Sequence, residues 1–137
     1  MKFNTKTRYG IRAILEIHLN KGVEGVLQKD IAKNQEISVK YLDHIIHQLK
    51  AARLIVNARG KKSGYVLTRP ASQITIYDIH NAFEPGICVV DCLLEGVNCD
   101  REEICTARGF YSELNKKIIA YLKEVTIEDL EKNPQFV

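Results

Sequence analysis

Apolar positions recur at helical spacing over residues 6–20. Ile11, Ile14, Leu15 and Leu19 stand at i, i+3, i+4 and i+8, and Tyr9, Ala13 and Ile17 widen the stripe. So wide a stripe predicts a helix packed on more than one side. Gly22 and Gly25 then mark a turn, and Gln28 to Lys33 reads as a short helix anchored by Ile31 and Ala32. Ser38 is a candidate N-cap for a helix running to about Arg53. Along it Leu42, Ile45, Ile46 and Leu49 form a tight apolar stripe, while Lys40, His44 and His47 point the opposite way, with Tyr41 and Asp43 on the flanks. Two β-favouring runs follow, Leu54-Ile55-Val56 and Tyr65-Val66-Leu67. The stretch Arg59-Gly60-Lys61-Lys62-Ser63-Gly64 between them supplies turn residues and three cations, which predicts a hairpin with a basic tip. Two helices joined by a turn and followed by a basic hairpin have the order of a winged helix-turn-helix. The plainer alternative is a small α+β domain with a solvated hairpin.

Further along, Thr75 is a candidate cap for a helix from Ile76 to Phe83, with Asp78 at the capping-box position. Residues 84–104 are irregular and carry Pro85, Gly86 and Gly96. From about Thr106 a second long helix is expected. Its Tyr111, Leu114, Ile118, Tyr121 and Val125 advance in steps of three, four, three and four, the pattern of a coiled-coil seam. We read this seam as a homodimer interface; the alternative is an amphipathic helix folded on its own domain. Thr126 and Asp129 would cap a final short helix. The chain is therefore expected to be mainly α with a small β-hairpin wing. Residues 1–83 form the winged helix-turn-helix domain, 84–105 a cysteine-bearing loop, and 106–137 a dimerisation helix and tail.

The net charge of +3 hides an asymmetry. Residues 1–70 carry 14 Lys and Arg against 5 Asp and Glu, whereas residues 71–137 carry 6 against 12. A basic first half points to a polyanion there, and double-stranded DNA suits the predicted fold. An α-helix fits the major groove, where base edges are distinguishable, and the N-terminal end of the second helix reaches them. Lys40 and His44 are the base-contact candidates, with Ser38 and Tyr41 beside them. Arg59, Lys61 and Lys62 on the wing, and Lys6 and Arg8 at the start of the first helix, are candidates for phosphate or minor-groove contacts. No apolar run is long enough to cross a bilayer, and no secretory-type stretch follows the basic start, so a cytoplasmic location is expected. A Ser/His/Asp arrangement, a phosphate-cradling glycine loop and a paired-carboxylate pocket are all missing from the pattern, which argues against an enzyme.

All four cysteines, Cys88, Cys92, Cys99 and Cys105, fall within eighteen residues. In a reducing compartment such clustering favours metal binding or redox sensing over structural disulfides. His18, His44, His47 and His80 lie on separate segments or on the DNA face and form no metal constellation.

Four stretches resemble the Rrf-type winged-helix transcription regulators (IscR-, NsrR- and CymR-like). They are Thr7-Arg8-Tyr9-Gly10, Ile37-Ser38-Val39-Lys40-Tyr41-Leu42, Arg59-Gly60 with Gly64-Tyr65-Val66-Leu67, and Thr126-Ile127-Glu128-Asp129-Leu130. The resemblance spans nearly the whole chain. It implies a homodimeric repressor or dual regulator bound to a partly palindromic operator. It also implies Cys92, Cys99 and Cys105 as ligands of an iron–sulfur cluster, [2Fe–2S] or [4Fe–4S], that gates DNA binding in response to iron or cluster supply, nitric oxide or redox stress. Thiolates are the natural ligands of such clusters, and the acidic neighbours Asp91, Glu95, Asp100, Glu102 and Glu103 would lower the reduction potential. The chain departs from the family pattern in three places. The gap between Cys92 and Cys99 is one residue longer than the best-known spacing. Arg108 stands where one subgroup has a ligating histidine, and Arg8 where another has a carboxylate. Arginine is no ligand at neutral pH, which leaves Cys88, Glu102, Glu103 or a small exogenous molecule as the fourth ligand. Zinc, a thiol switch and inert cysteines are the competing readings. A cluster-free member tied to sulfur metabolism through a partner protein or thiol oxidation is the alternative within regulation.

Overall fold

The computed structural model describes residues 2–59, 63–84 and 86–136. Its elements are α1 (Thr5–Leu19), α2 (Gln28–Gln35), α3 (Val39–Ala51), β1 (Ile55–Asn57), β2 (Tyr65–Leu67), α4 (Ile76–Phe83), α5 (Ala107–Glu124) and α6 (Ile127–Lys132). Single 3₁₀ turns occur at Ala71–Gln73, Asp91–Leu93 and Pro134–Phe136. The mainly helical architecture with one hairpin is the expected one. Helix α1 starts at Asn4, whose side chain accepts the Thr7 amide at 2.7 Å. It is the central helix: Ala13, Ile14 and Ile17 are buried in one core with Ile31, Leu42, Ile45, Leu49, Leu54 and Ile79. That central position accounts for its wide apolar stripe. At Gly10 the helix passes so close to Phe83 of α4 that an added Cβ would lie 2.3 Å from the ring. Any larger residue there would push the Phe83 ring out of its place.

The wing pairs β1 with β2 in the antiparallel register Ile55↔Leu67, Val56↔Val66, Asn57↔Tyr65. A third piece, invisible in the periodicity, joins on the outer side of β2. Val26 bridges Tyr65, donating its amide to the Tyr65 carbonyl at 2.9 Å and accepting the Tyr65 amide at 2.8 Å. Gly64 makes this approach possible, since a Cβ there would stand 2.3 Å from the Val26 carbonyl carbon. The wing-tip candidates Lys61 and Lys62 lie outside the described residues.

Both capping boxes form as expected, Thr75 with Asp78 and Thr126 with Asp129. The two caps lie side by side. The Ile76 amide donates to the Val125 carbonyl and the Ile127 amide to the Ile74 carbonyl, each at 2.9 Å. Ile127 is fully buried in the core around α1, and His18 of α1 pairs with Glu131 of α6. The C-terminal segment thus returns to the first helices and contributes Leu122, Val125 and Ile127 to their core. Val125, one of the residues expected in the seam, is only 8% exposed and packs within its own chain. The physical reason is position: the last turn of α5 meets α4, so its apolar residues are taken up by that contact. Among the described residues, no helix is long and apolar enough to cross a membrane.

Candidate nucleic-acid interface and cysteine loop

Helix α2 ends on Glu36, held in the left-handed region (φ 54°), whose amide donates to the carbonyls of Ala32 and Lys33. Ile37 is buried and returns its amide to the Ala32 carbonyl at 3.0 Å. Ser38 then caps α3, its hydroxyl accepting the Tyr41 amide at 3.2 Å. The turn between the two helices is thus fixed by one left-handed residue, one buried side chain and one cap. With Leu42, Ile45, Ile46 and Leu49 buried, α3 leaves Lys40, His44 and His47 exposed on its outer face. Tyr41 lies edge-on to Tyr9, ring centroids 5.6 Å apart, and Arg12 covers the Tyr9 ring at 4.9 Å.

A groove of about 440 Å³ runs between the first turns of α1 and α3, lined by Thr5, Tyr9, Glu36, Ile37, Ser38 and Tyr41. Thr5 also accepts a hydrogen bond from the exposed Arg8 guanidinium at 3.2 Å. The structure therefore brings Ser38 and Tyr41 against the turn that carries Lys6 and Arg8, both exposed. Arg59 is exposed on the hairpin arm. At the base of the wing, Lys50 of α3 donates to the Asn57 side chain at 2.8 Å and stands 5.8 Å from the Tyr65 ring centroid.

A polar chain that the sequence pattern did not disclose locks α2 against α1. The buried Glu16 carboxylate accepts hydrogen bonds from the side chains of Asn20 (2.9 Å), Asn34 (2.7 Å) and Gln35 (2.7 Å). Gln35 in turn accepts from Arg12 through its side-chain oxygen at 3.0 Å and through its carbonyl. On α3, Asp43 is engaged by the Gln28 side chain.

The cysteine loop is tied down at one end. Asn115 of α5 accepts the Val89 amide at 3.0 Å and donates to the Ile87 carbonyl at 2.8 Å, gripping the backbone on both sides of Cys88. All four thiols are free; Cys88, Cys92 and Cys105 are half-buried and Cys99 is exposed. The thiols of Cys92, Cys99 and Cys105, with Cys88 as a fourth, are a donor set suited in kind to an iron–sulfur cluster or zinc. Among the described residues, however, no three metal-binding side chains are gathered at one point. Arg108 pairs with Glu102 at 3.0 Å, which occupies one of the candidate fourth ligands. In the turn joining Cys99 to Cys105 the Glu102 amide donates to the Cys99 carbonyl at 3.0 Å.

Helix α5 presents Phe110, Tyr111, Leu114 and Tyr121 to solvent, while Ile118 is half-buried against the core. Phe110, 64% exposed and edge-packed on Tyr111, is missing from the seam read by heptad steps, although its apolar character next to Tyr111 was visible in the sequence.

The chain matches the Rrf2 family, described as iron-dependent transcriptional regulator, over residues 3–133. It is 36% identical to the protein rrf2 of Nitratidesulfovibrio vulgaris over 95% of this chain and 87% of that one. Among solved structures it is similar to CymR, the global cysteine regulator of B. subtilis. That match has a TM-score of 0.76 and 30% identity, and covers 95% of each chain. T. potens IscR is matched at a TM-score of 0.76 and 27% identity, over 97% of this chain and 88% of that one. Family, winged-helix fold and regulatory class agree, and the chain belongs to the Rrf2 family of transcriptional regulators.

Proposed function

We propose that this chain acts as a homodimer that binds a partly palindromic operator and represses transcription, with a sensor at the cysteine loop. The observation that carries this reading is the outer face of α3. Lys40 and His44 stand exposed behind a capped N-terminus, with Ser38 and Tyr41 joined across a groove to the cationic first turn of α1. Lys40 and His44 read base edges, Ser38 and Tyr41 orient the helix end, and Lys6, Arg8 and Arg59 take phosphates. Lys61 and Lys62 extend that role to the wing tip. The exposed Phe110, Tyr111 and Leu114 with Tyr121 form the dimer seam, an apolar face too continuous to be left to water.

In the sensor, Cys92, Cys99 and Cys105 would hold an iron–sulfur cluster, which when bound supplies a one-electron redox centre sensitive to oxidants and nitric oxide. The thiols provide the anionic soft donors, and Asn115 fixes the loop's entry to α5, so a rearranged loop pulls directly on the dimer helix. A second reading is a cluster-free thiol sensor that regulates cysteine or sulfur metabolism, as the similarity to CymR allows. It is favoured by the Glu102–Arg108 pair and by thiols that do not converge.

Anaerobic reconstitution with iron and sulfide tests the choice. The cluster reading expects visible absorbance that is lost in Cys92→Ser, Cys99→Ser and Cys105→Ser. A colourless protein, with a specific disulfide after oxidation, supports the cluster-free reading. Footprinting on the DNA upstream of the chain's own gene tests the operator claim independently of either.

A further inference from the structure

A cavity of about 380 Å³ opens between the end of α1, strand β2, the 3₁₀ turn and α6, away from both the α3 face and the α5 seam. That volume lies in the range of small-ligand pockets. Its floor is apolar, built from Ile17, Val66, Leu67, Pro70 and Ala71. The charged groups at its rim have unequal commitments. Glu128 is neutralised by Lys132 at 2.9 Å, and that contact raises the Lys132 pKa through the hydrogen bond and charge of Glu128. His18 is held by Glu131 of α6. Arg69 donates through Nε to the Gln73 carbonyl at 2.9 Å and through Nη2 to Asp78 at 3.0 Å, so its guanidinium is fixed in place. Lys21 is exposed and makes no ion pair among the described residues. The Arg69 charge is balanced by Asp78 as that of Glu128 is by Lys132, so the unpaired charge at the rim among the described residues is Lys21. An apolar floor beneath that ammonium, beside a guanidinium held in place with donors to spare, suits an anion with a hydrocarbon body.

We infer that this cavity is an effector site for a small organic acid, its carboxylate meeting Lys21 and Arg69 and its apolar body lying on Ile17, Leu67 and Ala71. Val66 and Leu67 belong to the strand that carries the wing, and the opposite wall is α1. A bound acid therefore bridges the wing strand and the scaffold, and the expected change in DNA affinity equals the ratio of its affinities for the free and DNA-bound forms, a coupling that is reciprocal between the two sites. The site is separate from the cysteine loop and needs no cluster.

The test uses the full chain labelled with ¹⁵N and titrated with hexanoate, 3-methylbutanoate and phenylacetate, each alongside its neutral amide. We expect saturable shifts confined to the amides of residues 17–21 and 66–72. Affinity should be about tenfold or more weaker for the amides and for Lys21→Gln, the loss of one charge-assisted contact. Ser72→Tyr, at an exposed rim position, should block binding without altering the rest of the spectrum. Shifts scattered over the surface, equal binding of acid and amide, or binding unaffected by Lys21→Gln would each overturn the site. DNA affinity unchanged at saturating acid would overturn its role as an effector site. Because binding is read without DNA, failure here is distinct from failure of the operator reading.

Discussion

Replacing Glu16 by glutamine changes one atom and tests how the DNA-reading unit is held together. The carboxylate oxygens accept from three amide groups, on Asn20, Asn34 and Gln35. A glutamine amide keeps one oxygen, which can continue to serve Asn20 and Asn34, but turns an N–H₂ towards the N–H₂ of Gln35. Gln35 cannot flip to relieve the clash, because its side-chain oxygen is committed to Arg12 at 3.0 Å. One charge-assisted bond is lost and two are reduced to neutral strength, a cost of about 1.5–3 kcal/mol. Glu16→Ala removes all three hydrogen bonds but lets water reach the exposed Asn34, so a cost of about 2–4 kcal/mol is expected. At about 4 °C per kcal/mol for a chain of this size, Tm should fall by roughly 6–12 °C and 8–16 °C respectively. Differential scanning calorimetry at fixed protein concentration measures both, since dimerisation shifts Tm by mass action. A cycle with Gln35→Ala should show Glu16→Gln costing much less once Gln35 is absent. If Glu16→Gln proves neutral in the wild-type background, the oriented chain from Arg12 to Glu16 is not what fixes α2 on α1.

Gly64→Ala should force β2 away from Val26, because the new Cβ would stand 2.3 Å from backbone. DNA affinity should drop together with stability, and amide exchange at Val26 and Tyr65 should accelerate; unchanged protection there would contradict the three-piece wing. Thr126→Ala deletes one capping box and should cost about 1 kcal/mol in chemical denaturation, with no change in the α3 amide resonances. Glu36→Gly relieves a left-handed conformation in a side-chain-bearing residue and removes an anion from the groove beside Ser38. It should therefore raise stability by about 0.5–1 kcal/mol and tighten DNA binding. A variant that is less stable would refute the backbone argument.

The elements most legible in the sequence were those whose signal is local. Ser38, Thr75 and Thr126 announced helix starts because a cap is a relation between residues three apart, and all three form. The α3 stripe was equally legible, since four buried residues at strict spacing leave no choice of face. What could not be read was long-range pairing between polar residues. Glu16, Asn34 and Gln35 are unremarkable one by one, and only the packing of α2 on α1 makes them a network. The same holds for Asn115, which serves the backbone of a loop 26 residues away. The heptad steps of α5 mark apolar positions without saying how they divide between roles. Val125 fills the chain's own core while Tyr111 and Tyr121 remain open, because a stripe does not say which partner covers it. The cysteine loop was recognised by composition and resemblance, yet its turns depend on Asn115 and on the Glu102–Arg108 pair, neither of which carries a motif.

Fluorescence anisotropy on DNA from the upstream region, recorded across a salt series, tests most directly whether the outer face of α3 and its flanking cations grip the duplex. The wild-type affinity should fall steeply as salt rises. Lys40→Ala and Arg59→Ala should weaken binding, with a phosphate contact at Arg59 reducing the log–log slope by about one. Binding that is insensitive to salt, or that survives both substitutions at full strength, would contradict the account.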